Sequence, residues 1–291
     1  MDWYIFAFIS AFFSAAAAIY EKRTLFREEA LEFSTILAIF NLFLALPFLF
    51  YADFERVTLM TLGVLYFKTI LGAVSFLCVM YGIKNLELSG ALPLLVLTPG
   101  LVAFFAFILL GEALSTYAIF GMILLLIGTY ILQVREAKNI FEPFIIFWKS
   151  RGHNYILAAL LLFTTTSILD KLILGKFKVP PNAFMGFQHL FLGINFLIVY
   201  FVIRRKTEFV INAFKRSWKM ILIVAIFSII YRFNQILAVK LGPVALVLSI
   251  KRTSVFFATV IGGKLFREHN LLQKTIATLI MIVGSALVII Y

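Results

Sequence analysis

The sequence predicts an all-α integral membrane protein of ten transmembrane helices, arranged as two inverted five-helix repeats. Composition is the first observation behind this. Of 291 residues, 63% are hydrophobic and 14% charged, with a mean hydropathy of +1.04, which leaves too little polar surface to coat a soluble globule of this length. The second is that the apolar residues fall into ten runs, each near the roughly 20 residues a helix needs to cross the hydrocarbon. The third is an echo: LFLALPFL at Leu42 to Leu49 returns as LFLGINFL at Leu190 to Leu197, within two halves of five runs each. An odd number of crossings makes the second half enter from the opposite side, so the halves are inverted, as in many carriers that work by alternating access.

The runs lie near 3–20, 34–52, 59–83, 88–110, 113–133, 155–173, 183–203, 219–239, 243–263 and 271–291. They are continuously apolar instead of alternating, which excludes barrel strands. The first run has no basic leader and is followed by Glu21-Lys22-Arg23, so it reads as a retained span and not as a signal peptide. Residues 1–140 form the first repeat, 141–154 an interfacial connector and 155–291 the second repeat. Within the connector, FEPFIIFW (Phe141 to Trp148) is too short to cross and suits the headgroup layer.

The net charge of +12 does not point to nucleic acid, because the basic residues are spread through short connections where topology and lipid headgroups account for them. With flanking residues counted, the odd-numbered connections hold 17 Lys and Arg and the even-numbered ones 5. Under the positive-inside rule the odd connections are cytoplasmic, which places both termini outside, in a cell (inner) membrane. The single cysteine, Cys78, allows neither a disulfide framework nor a thiolate metal site.

The internal symmetry extends beyond the octet. Ile19-Tyr20-Glu21-Lys22 closes the first run as Ile168-Leu169-Asp170-Lys171 closes the sixth, and Glu112 with Gly121 and Gly128 matches Glu268 with Ala277 and Gly284. Together with GALPLLVLTPG in the fourth run (Gly90 to Gly100) and Gly111-Glu112 after it, these features resemble the EamA-type branch of the drug/metabolite transporter superfamily over the whole chain. The resemblance implies ten helices around a central cavity, with the fifth and tenth at the periphery, and a metabolite as cargo. The second half departs from the pattern, since Gly111-Glu112 becomes Arg267-Glu268.

Chemistry must come from polar groups inside the apolar runs. All fourteen acids are placed in connections or at run ends, whereas Lys68, Arg232, Lys251 and Arg252 fall inside runs. A Lys or Arg at the bilayer centre costs about 2.5 to 3.5 kcal/mol to insert, so such residues face a cavity or a partner. With no acid at comparable depth, an anionic ligand is the simplest partner. Lys251-Arg252 lies about 12 Å along the ninth run, a long reach for snorkelling. Arg offers a planar fork to carboxylate or phosphate and Lys a compact charge. The pair also resembles, locally, the phosphate-binding pair of sugar-phosphate translocators.

Tyr231, Arg232 and Gln235 form a polar group in the eighth run, able to hydrogen-bond a substrate or to fix helix packing. Lys68, nearer a run end, competes with snorkelling. Asn41 aligns with His189 in the repeat register, as residues flanking a central site on a pseudo-two-fold axis would. His189 titrates in the physiological range and is the candidate for a coupling proton, although an interhelical hydrogen bond is the simpler role. Pro93 and Pro99 in the fourth run serve as a hinge or as static kinks.

Other classes are excluded. His153, His189 and His269 stand in separate segments, so no metal site is expected. Gly263-Lys264-Leu265 lacks the hydroxyl and glycine spacing of a phosphate-binding loop. No cofactor is implied. Small multidrug exporters need an acid deep in the first helix, and the first run has none. The expectation is a secondary-active transporter, not an enzyme, with lipid and a small anionic or carboxylate-bearing solute as its partners. An exporter of neutral or zwitterionic solutes, and a non-transporting receptor or scaffold, remain as alternatives.

Overall fold

A computed structural model describes residues 2–98, 100–101, 115–133, 150–204, 206–241 and 244–287. These residues are helical, without strands, and form ten helical segments. They are α1 (Trp3–Leu25), α2 (Ala30–Phe50), α3 (Leu59–Asn85), α4 (Leu88–Ala91, continuing as a 3₁₀ segment over Leu92–Leu97), α5 (Thr116–Gln133), α6 (Arg151–Lys171, then a π segment Leu172–Lys176), α7 (Pro181–Arg204), α8 (Glu208–Leu241), α9 (Val244–Phe257, then a π segment Ala258–Gly262 and a last turn to Leu265) and α10 (Leu271–Leu287). Six are long and apolar enough to cross a membrane on their own: α1, α2, α3, α6 with its π turn, α7 and α8. Pro99, Gly111-Glu112 and the Phe141 to Trp148 segment lie outside the described residues.

Exposed Phe8, Phe12, Phe43, Leu126 and Val202 cover the outer surface with apolar side chains, as lipid contact requires. The core between helices mixes large side chains with small ones: Ala7, Ala11, Ala15 and Ala18 on α1 are buried, and small side chains allow close approach where lipid supplies no hydrophobic drive.

Packing follows the repeat. Contacts are densest between α1 and α8, α3 and α6, α2 and α7, and α5 and α10. Exchanging the two halves converts the first pair into the second and maps each of the other two onto itself. The self-mapped pairs run antiparallel. A Cβ on Gly193 of α7 would sit 3.2 Å from Leu42, and one on Gly186 would collide with Leu49. On α10, a Cβ on Gly284 would lie 2.7 Å from the Gly121 carbonyl oxygen, while Gly128 meets Met281. Backbone cannot yield as a flexible side chain can. Gly284→Val is therefore expected to destabilise the protein by roughly 1–3 kcal/mol, measured as a lower thermal midpoint in detergent. An unchanged midpoint would remove the close-packing role.

Several expected boundaries need correction. α1 continues past residue 20, so Glu21 and Lys22 lie inside the helix and are buried. Lys22 is tolerated there because its Nζ donates to the carbonyls of Ile83 and Leu86, both at 2.6 Å, capping the end of α3. The first helix thus does contain a buried acid, although Glu21 sits near its C-terminal end and does not line the central cavity. α8 begins at Glu208, not near 219, because Ala213 and Ser217 give the added turns a buried face. The expected fourth helix tightens to 3₁₀ geometry around buried Pro93, which cannot donate to an α-helical ladder.

Candidate functional site

Between the halves lies a cavity of about 250 Å³. Asn41 from α2, Lys68 from α3, His189 from α7, Tyr231, Arg232 and Gln235 from α8, and Lys251 and Arg252 from α9 all line it. Leu95 in the 3₁₀ segment adds an apolar wall, and Pro93, two residues earlier, does not line the cavity. A narrower cleft of about 20 Å³ adjoins it between α6 and α8, lined by Leu174 and Val239 towards the even-numbered connections.

The expectation that the interior holds cations without anions is overturned by Asp170. This carboxylate lines the cavity, 2.8 Å from the Arg232 guanidinium and 2.9 Å from Lys68 Nζ. The sequence placed Asp170 at a run end, but the π segment carries the helix on to Lys176, so the acid falls inside it. The signal was available in the apolar residues that resume at Leu172-Ile173-Leu174. Gln188, next to His189 on α7, completes this cluster. Its Oε1 accepts from Lys68 at 2.6 Å and from Arg232 at 2.7 Å. Lys68 does not snorkel; it is buried against this pair, and its ammonium lies 5.2 Å from the centre of the Phe184 ring. Arg232 bonds side chains, adding Gln235 Oε1 at 3.2 Å.

Lys251 and Arg252 differ from the other two cations. Lys251 donates to Gln235 Oε1 and lies 5.2 Å from the centre of the Tyr231 ring. Neither residue forms an ion pair among the described residues. Arg252 Nε, Asn41 Oδ1 and His189 Nε2 are buried without a hydrogen-bond partner there, and all three belong to residues lining the cavity. Buried polar atoms ordinarily find partners, so these are positions at which a polar solute gains contacts the protein leaves unmade.

The end of the molecule formed by the odd-numbered connections is tied across the halves by charge. Glu28 accepts from Arg216 Nε at 2.7 Å and from the Ser217 hydroxyl; Glu32 accepts from Arg204 at 2.7 Å. Glu268 accepts from the backbone N–H groups of Leu88 and Ser89 at 2.8 and 2.9 Å, capping α4, and Glu87 pairs with Lys274. At the opposite end, Asn182 donates to the Tyr51 carbonyl at 3.1 Å. Glu268 stood out in the sequence only as the repeat counterpart of Glu112, and Glu28, Glu32 and Glu87 not at all, since each lies in or beside a connection and its partner is remote in the chain.

A helical membrane scaffold with a polar cavity between two similar halves has the form of a solute carrier. The chain belongs to the EamA-like transporter family, whose model matches residues 1–134 and 150–290. It is an integral membrane protein of a transporter family, with a small molecule and membrane lipid as partners. A solved structure described as "Crystal structure of protein" shares its fold with a TM-score of 0.68 over 97% of this chain and 94% of that one, at 14% identity. No curated protein sequence matches.

Proposed function

We propose that the chain is a secondary carrier for a small anionic or carboxylate-bearing solute: an amino acid, an organic acid or a phosphorylated metabolite. The observation that carries this reading is the state of Lys251 and Arg252, which line a cavity between the halves and lack a carboxylate partner among the described residues. Buried cations require anions, and a cavity delivers one from solution. Arg252 supplies a fork for an oxyanion and Lys251 a compact charge. Arg232, Lys68, Tyr231, Gln235, Asn41 and His189 complete the wall; His189 is buried near the cations Lys68 and Arg232, which oppose a further positive charge there, so it serves as a polar wall group and not as the site of a coupling proton.

All ten helices cross the membrane in this reading, as inverted repeats at 1–140 and 155–291 joined by 141–154. The exchange pattern of helix contacts and the antiparallel α2–α7 and α5–α10 pairs support a two-fold axis in the membrane plane. The basic odd-numbered connections face the cytoplasm of a cell (inner) membrane and both termini lie outside. The charged contacts at that end then hold the cytoplasmic side shut, and the 3₁₀ segment with Pro93, together with Pro99, is the hinge.

Counterflow in liposomes tests the proposal. Labelled organic acids are expected to exchange across vesicles containing the protein and not across empty ones. Exchange confined to neutral solutes, or no exchange at all, would overturn it.

A further inference from the structure

We propose that Asp170 sets the number of negative charges the cavity accepts, favouring a solute with one anionic group over one with two. The inference rests on the anion-carrier reading and narrows it. The four basic side chains fall into two pairs by what they touch. Lys68 and Arg232 are both engaged by Asp170, at 2.9 and 2.8 Å, and both donate to Gln188 Oε1. Lys251 and Arg252 touch no carboxylate among the described residues.

Asp170 is therefore a resident anion. Lys68 on α3, Arg232 on α8 and Lys251 on α9 face it, with the amide of Gln188 on α7 between the first two. It gathers two of the cations onto one wall of a cavity of about 250 Å³, small enough that both ends of a short solute feel every charge in it. One acidic group meets the free cations Lys251 and Arg252. A second acidic group on the same solute approaches a wall of two cations already engaged by a carboxylate, a formal charge of only +1, where the attraction left over does not offset its desolvation. Discrimination arises by making the competitor worse, without a dedicated contact to the preferred solute.

The test compares butyrate with succinate, four-carbon acids differing by one carboxylate, bound to the purified full chain at neutral pH and fixed ionic strength. Wild-type protein is expected to bind butyrate more tightly. Asp170→Asn should raise the succinate-to-butyrate affinity ratio about tenfold or more, since a unit charge at this range in a poorly screened site exceeds that factor. Lys68→Met, which leaves Asp170 in place with one cation fewer, should lower the ratio. The double variant should return towards wild type.

A ratio measured on one sample does not depend on how much of it is folded. If Asp170→Asn does not fold, Lys68→Met carries the test alone. A ratio within about twofold of wild type in the variant that folds overturns the role of Asp170 while leaving the anion-carrier reading intact. Wild-type protein that binds neither acid overturns both.

Discussion

Lys251→Ala and Arg252→Ala are each expected to weaken solute binding by about 2–5 kcal/mol, which is roughly thirtyfold to several thousandfold, with folding retained. Two facts set the size and the selectivity of the effect. Both side chains line the cavity, so each would meet a bound anion where water screens it less than at the surface. Neither forms an ion pair with the protein among the described residues, so truncation strands no internal carboxylate, and it removes a group whose insertion was unfavourable. Counterflow rates and thermal midpoints, measured on the same preparations, separate the outcomes. Transport at wild-type level would end the binding role, and a collapse of the midpoint would make the pair structural.

Glu28→Gln, the second large effect, is expected to open the odd-connection end. Glu28 is 2% exposed and accepts from both Arg216 and Ser217, so it pins the N-terminal part of α8 to the α1–α2 connection. An amide can accept only one part of that fork. Since a conformational equilibrium responds to any contact made in one state and not the other, the population should move several-fold towards the opposite opening. Spin labels at exposed Phe26 and Lys206 would report this as a longer distance component that grows in the variant. An unchanged distribution would mean that the fork is not a latch. Arg216 is largely exposed, so added salt should move wild type in the same direction.

The helical scaffold was legible in the sequence because each crossing element is written locally, as a run of apolar residues. Lys251 and Arg252 were legible for the same reason, since cations deep in such a run have few places to go. What escaped notice depended on partners far along the chain. Asp170 looked like a helix end because the next residues are Lys171 and, soon after, Gly175; only the π turn and the approach of Lys68 and Arg232 put it inside. The ties of Glu28, Glu32 and Glu268 span 172 to 189 residues of sequence, and no local pattern announces them. The 3₁₀ tightening around Pro93 was half visible: proline predicts a disturbed helix without saying which geometry replaces it.

The length of α8 has a mechanical consequence. Its 34 residues make a rod of about 51 Å, well beyond a hydrocarbon layer of about 30 Å, so its first turns stand clear of the bilayer. Roughly 36 Å separate Glu208 from Arg232 along that axis. A tilt of about 10° pivoting at Arg232 would sweep the tip through roughly 6 Å, a lever that magnifies a sub-ångström adjustment around the solute into a displacement large enough for a clamp on its protruding end, such as a bound antibody fragment, to arrest.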